Sequence, residues 1–173
     1  VIGVELPKQK IMHTEWMHAD CLADYYHVDV FSEEHWKILE NYFKEYVKRG
    51  CNMMLTPLFT SPLDTAVGLE RTTTQLIKVE VVKGEYRFDF SELKRWIDLC
   101  KKCGIEYYEM SHLFSQWGAK YAPKVVAEVD GKEEKIFGWH TPAVGEYTRF
   151  LKAFLPQLIE KLREWNIDQV TYF

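Results

Sequence analysis

Two carboxylates and a few histidines stand where one rim could collect them. Glu109 lies in Tyr107-Tyr108-Glu109-Met110-Ser111-His112, and Glu15 in His13-Thr14-Glu15-Trp16-Met17-His18-Ala19-Asp20. A carboxyl group ending a short apolar run can exchange a proton with substrate or hold a hydroxyl. Side-chain alternation puts His13 and Glu15 on one face of a strand. Two readings of that face stay open: Glu15 approaches a reactive rim, or His13 and Glu15 satisfy each other in the interior. His18 and Asp20 follow in a loop, placed to hydrogen-bond the hydroxyls of a ligand, and His112 follows Glu109. Further along, Pro62-Leu63-Asp64-Thr65 offers Asp64, and Arg71 comes shortly after. Arg71 could equally pair with Glu70 or Asp64 for structure.

Aromatic side chains make up 15% of the chain: six Trp, ten Tyr and ten Phe. Several, including Trp16, Tyr25, Tyr26, Trp117, Tyr121 and Trp139, sit outside regular core patterns. Rings with a polar tip suit both the packing of long loops and stacking on the apolar face of a sugar. Three other chemistries compete. His13, His18, His112, Glu15 and Glu109 could form the metal set of a barrel hydrolase, but the His-x-His spacing on the first strand is missing. A Ser-His-acid triad lacks its Gly-x-Ser-x-Gly elbow. Glycoside hydrolysis needs two carboxyl groups, or one acid and a substrate acetamido group. Here Glu15 and Glu109 stand on non-adjacent strands, and no adjacent acidic pair ends a strand. A non-catalytic carbohydrate-binding module is the non-enzymatic alternative.

The bulk properties narrow the partners. The formal net charge of −4 over 173 residues argues against nucleic acid, which asks for a basic stripe. No apolar run approaches the ~18 residues of a membrane span. Cys21, Cys51, Cys100 and Cys103 form no zinc framework, and they read as small buried hydrophobes. No cofactor is expected.

The elements follow from periodicity and punctuation. A first helix starts after the N-cap Ser32 and ends at Gly50, with Trp36, Leu39, Tyr42, Phe43, Tyr46 and Val47 on its apolar face. A second runs from Ser91 to Gly104. A third begins at Thr141-Pro142, is kinked by Pro156 and is capped by Asn166. Short apolar runs at Lys10–Trp16, Cys51–Leu58, Ile105–Met110 and Ile167–Phe173 read as buried parallel strands. Helices reach the next strand through one to three residues, whereas strands reach the next helix through long excursions. Two excursions contain hairpins, turning at Lys83-Gly84 and Asp130-Gly131. That asymmetry predicts a partial (β/α)8 barrel of about four βα units, with hairpin insertions in the strand-to-helix loops that build the site. A doubly wound open sheet is the rival, without its Gly-rich turn. Residues 1–9 read as a linker or the tail of a preceding domain, and 10–173 as the N-terminal half of the barrel. Unpaired first and last strands predict self-association, which a monomeric mass by light scattering would contradict.

Several stretches resemble the catalytic domain of glycoside hydrolase family 123: His13 to Ala23, Asn52 to Pro57, Pro62 to Thr65, Glu109 to Ala119, and Ile136-Phe137-Gly138-Trp139. The resemblance implies a retaining enzyme, β-N-acetylgalactosaminidase-like, with substrate-assisted catalysis. It implies that the acetamido-orienting Asp and the general acid/base Glu form an adjacent pair just after the fourth strand, hence after Phe173. It carries over a sugar-binding rim of Trp16, His18, Asp20, Glu109, His112 and Trp117, with an amino-sugar glycoside as the expected substrate.

Overall fold

The computed structural model describes residues 3, 4, 7, 10–63, 65–116 and 118–173. Most of the 1–9 tail, Asp64 and Trp117 therefore lie outside the described residues. In chain order the elements are α1 (Ala19–Tyr26), α2 (Glu33–Lys48), β1 (Met53–Thr56), β2 (Lys78–Val82), β3 (Glu85–Asp89), α3 (Ser91–Cys103), β4 (Tyr107–Met110), β5 (Val125–Val129), β6 (Lys132–Phe137), α4 (Glu146–Glu164), a 3-10 turn (Asp168–Val170) and β7 (Thr171–Tyr172).

Punctuation residues set the ends of α2 and α3. The Ser32 side chain accepts from the His35 N–H, and Gly50 past the end of α2 has φ +88°. Helix α3 stops at Gly104, φ +95°. Both hairpins form as expected: Lys83-Gly84 and Asp130-Gly131 have positive φ at both turn positions, which matches the twist of the flanking strands.

The strands β1, β4 and β7 form a parallel sheet in the order β1-β4-β7, and among the described residues it does not close on itself. Its register is Leu55 beside Glu109 beside Tyr172. Met54, Tyr108 and Met110 face the core shared with Leu39, Phe43, Leu93 and Ile97. Met53, Leu55, Tyr107 and Glu109 fall on the opposite face, because successive side chains alternate.

Four expectations need correction. The run Lys10–Trp16 is not a strand. It lies beside β1 only as far as His13, whose carbonyl accepts from the N–H of Asn52 and Met53 (both 3.1 Å). Beyond it, the Tyr46 hydroxyl from α2 wedges between the two chains and takes the Glu15 and Met53 backbone bonds for itself. The excursion 17–31 contains a helix, α1, which the sequence pattern did not announce. Helix α4 starts at Glu146 rather than Thr141. Pro142 is spent on a bridge to Tyr121, and Ala122 N–H donates to the Thr141 carbonyl (3.0 Å), so those residues pair across the loop. Cys21, finally, is exposed, whereas Cys51 and Cys100 are buried as expected.

The two hairpins join. Strand β2 pairs in parallel with β5, giving a second sheet in the order β3-β2-β5-β6. Its inner face meets α4, which runs on past Pro156, through Phe150 and Phe154. Among the described residues, no helix is long and apolar enough to cross a membrane.

Candidate functional site

The parallel strands aim their C-terminal ends at one rim, and three of the singled-out side chains meet there. Glu109 sits on the face of β4 turned away from the helices. The Trp16 indole N–H lies 3.2 and 3.1 Å from the two Glu109 carboxylate oxygens and donates into them. The His112 ring meets the Trp16 ring edge-on at 5.3 Å. Trp16 remains 43% exposed, so the indole that holds the carboxylate also offers a ring surface to solvent. The His112 Nδ1 atom is buried and has no hydrogen-bond partner. A carboxylate held by a single neutral donor retains free lone pairs for a ligand's hydroxyls.

The remaining candidates divide. His13 Nε2 and Glu15 Oε1 are 3.3 Å apart, so these two do meet, but on the surface, where the Glu15 side chain is 75% exposed. Asp20 and Arg71 form a buried two-pronged ion pair, Nε to Oδ2 at 2.7 Å and Nη2 to Oδ1 at 3.0 Å. Arg71 thus pairs neither with Glu70, which binds Lys124 and Lys135, nor with any described residue of its own loop except the Leu63 carbonyl. Burial opposes the guanidinium charge, but the Asp20 carboxylate outweighs it and raises the Arg71 pKa above its ordinary value. His18 occupies the N-cap position of α1 without a side-chain capping bond and, with Asp20, Arg71, Ser61 and Ser111, borders a cavity of about 30 Å³. Pockets for small molecules occupy roughly 300–1,000 Å³, so this one is too small for a sugar ring. Among the described residues, no three His, Cys, Asp or Glu side chains converge as a metal site.

Residues 16–173 match the family described as glycoside hydrolase 123, catalytic domain. The chain belongs to this family. The fold is similar to that of a family 123 glycoside hydrolase from Clostridium perfringens solved in a study of glycolipid glycan hydrolysis. The TM-score is 0.69 at 23% identity, over 91% of this chain and 28% of that one. At that identity the likeness is one of fold. No curated protein matches the chain.

Three further residues of this family 123 domain fasten its loops, and the sequence alone does not announce them. The Ser111 hydroxyl accepts from the Leu58 N–H (3.1 Å) and ties the loops after β1 and β4 together. Tyr46 had been counted as core; its phenolic tip was the available signal. The third is His35, on α2. It is fully buried, its Nδ1 accepts from the Phe31 N–H (2.9 Å), and its Nε2 therefore carries the proton and donates to the Ala19 carbonyl (3.1 Å). That clasp joins α1 to the turn before α2.

Burial lowers the His35 pKa below its ordinary 6.5, against a smaller upward pull from the Ala19 carbonyl and Asp20. A neutral histidine in the fold and a protonatable one in the unfolded chain make stability fall with acid. His35's contribution is complete above 6.5 and is lost as pH drops through that value toward the lower folded-state pKa. Urea unfolding of wild type and His35→Gln, from about pH 7.5 to about pH 5.5, should show a shallower loss in the variant. Equal slopes would remove His35 from the acid response.

Proposed function

We propose that this chain forms the N-terminal half of a glycosidase barrel, and that Trp16, Glu109 and His112 bind an amino-sugar unit of its substrate. The observation that carries the reading is the Trp16 indole donating to both Glu109 oxygens at the strand ends, with its ring still open to solvent. The ring offers an apolar face to the sugar's C–H groups, and the carboxylate accepts from its hydroxyls. Family membership supports the sugar, and the resemblance supports the amino sugar and the substrate-assisted retaining route. In that route the acetamido oxygen attacks the anomeric carbon. An Asp steadies it, and a Glu protonates the departing oxygen, then activates water. The resemblance puts this pair just after the fourth strand. Asp20 and Arg71, already satisfied by each other, brace the rim and leave sugar contact to Trp16 and its neighbours.

The test is titration of the chain with N-acetylgalactosamine, followed by the Trp16 indole signal in NMR. Hydrogen bonds to a charged group contribute about 1.5–3 kcal/mol, so Glu109→Gln should weaken binding by roughly tenfold or more. Trp16→Ala should do at least the same. Undiminished binding by both variants would place the sugar elsewhere.

A further inference from the structure

We propose that Tyr46 is a positioning residue for this rim: its hydroxyl holds the Thr14–Glu15 backbone away from β1 and so sets Trp16 against Glu109. The inference rests on the reading of Trp16 and Glu109 as sugar-binding residues.

A phenol has one proton to give and two lone pairs to receive with. The Tyr46 hydroxyl has four polar neighbours: the Met53 carbonyl at 2.7 Å, the Glu15 N–H at 2.8 Å, the Glu15 carbonyl at 3.0 Å and the Thr14 hydroxyl at 3.2 Å. The shortest contact takes the phenolic proton to Met53, and the Glu15 N–H donates back to the oxygen. One atom of a helix therefore stands where a strand-to-strand ladder would have closed. Tyr46 sits one turn past Phe43, which is fully buried, so the wedge is driven from a fixed support.

Upstream, the segment is tied to the Asn52 side chain, which accepts from the His13 N–H (2.8 Å) and donates to the Ile11 carbonyl (3.2 Å). Downstream, His35 fixes the Ala19 carbonyl. Trp16 lies between these anchors, and its immediate neighbour Glu15 is gripped at its N–H by the Tyr46 hydroxyl. Were Glu15 to pair directly with β1, the backbone would shift inward and the indole would leave the Glu109 carboxylate. Side-chain direction one residue beyond a gripped peptide unit is set by that grip.

The test is Tyr46→Phe, which keeps the ring and removes the hydroxyl. The six tryptophan indole N–H signals are recorded by NMR, with Trp16 assigned through Trp16→Phe. The expected result is a displaced Trp16 indole signal exchanging with solvent about tenfold faster, while the buried Trp36 and Trp96 signals stay in place. Affinity for N-acetylgalactosamine should fall about tenfold in the same variant. An unmoved Trp16 signal overturns the proposal, and so does a uniform shift of every indole, which marks general loosening. Absence of sugar binding by the wild type removes the functional reading alone, and the indole signal still decides whether Tyr46 sets Trp16. Should the variant fail to fold, the wild type decides. A hydroxyl held by Met53 and Glu15 exchanges slowly enough to be seen at neutral pH, and its absence from the spectrum refutes the grip.

Discussion

Replacing Phe150 by alanine should destabilise the chain by about 3–5 kcal/mol, the range for a buried phenylalanine removed from a packed core. For a domain of this size that corresponds to a midpoint lower by roughly 10 °C, at about 2–4 °C per kcal/mol. Phe150 is fully buried on α4 and packs against six other rings, one of them Phe154 on the same helix at 6.0 Å. Phe59 lies at 5.4 Å, Tyr86 at 5.1 Å, Phe88 at 5.5 Å, Phe137 at 5.2 Å and Tyr147 at 5.9 Å. These rings come from the loop after β1, from both hairpins and from α4 itself. A void there unfastens the second sheet from α4, which packs on it. Thermal unfolding followed by circular dichroism checks it, and a loss under about 1 kcal/mol would mean that the site collapses around the gap.

Asp20→Ala carries the second large effect. Its partner Arg71 has a side chain only 12% exposed, and Asp20's is 8% exposed. Removing one member of such a pair strands a charge out of water, at a cost of about 3–5 kcal/mol. Replacing both, as Asp20→Leu with Arg71→Met, leaves no stranded charge and should recover most of the loss. A denaturant double-mutant cycle measures the coupling; additive single effects would show that solvent reaches the pair. The pair links α1 to the loop that leads into β2, so the single variant should also loosen the Thr72 hydroxyl from Asp24, 2.9 Å away.

Local signals in this chain were read well where one residue's geometry decides the outcome. Ser32, Gly50, Gly104 and the two turn dipeptides each impose a backbone conformation irrespective of what lies across the molecule. The runs that became β1, β4 and β7 were legible too, whereas the first strand of the expected order was not. Long-range events escaped. Nothing near Lys10–Trp16 reveals that a phenol 31 residues away takes its ladder bonds at Glu15. Pro142 carried a helix-start signal, yet its neighbours found backbone partners across the loop at Lys120 and Ala122 first. Within the rim, Trp16, Glu109 and His112 could be nominated by type and placement. The pairing of Asp20 with Arg71 spans 51 positions and follows only from the folded loops. Asp20 thereby changes from a candidate ligand for hydroxyls into a fastening between loops.

The parallel pairing of β2 with β5 has a consequence for how this chain is made. Glu80 and Glu128 are register partners, so the outer sheet cannot be completed until synthesis has moved well past both hairpins. Each hairpin is local and can close within microseconds, but their union waits on loop closure across the intervening helix and strand. A nascent chain leaving the ribosome would therefore carry the first ribbon alone, with an open edge, for several seconds while the second is made, at about 5–20 residues per second. During that interval chaperones, or a neighbouring polypeptide, find that edge most accessible.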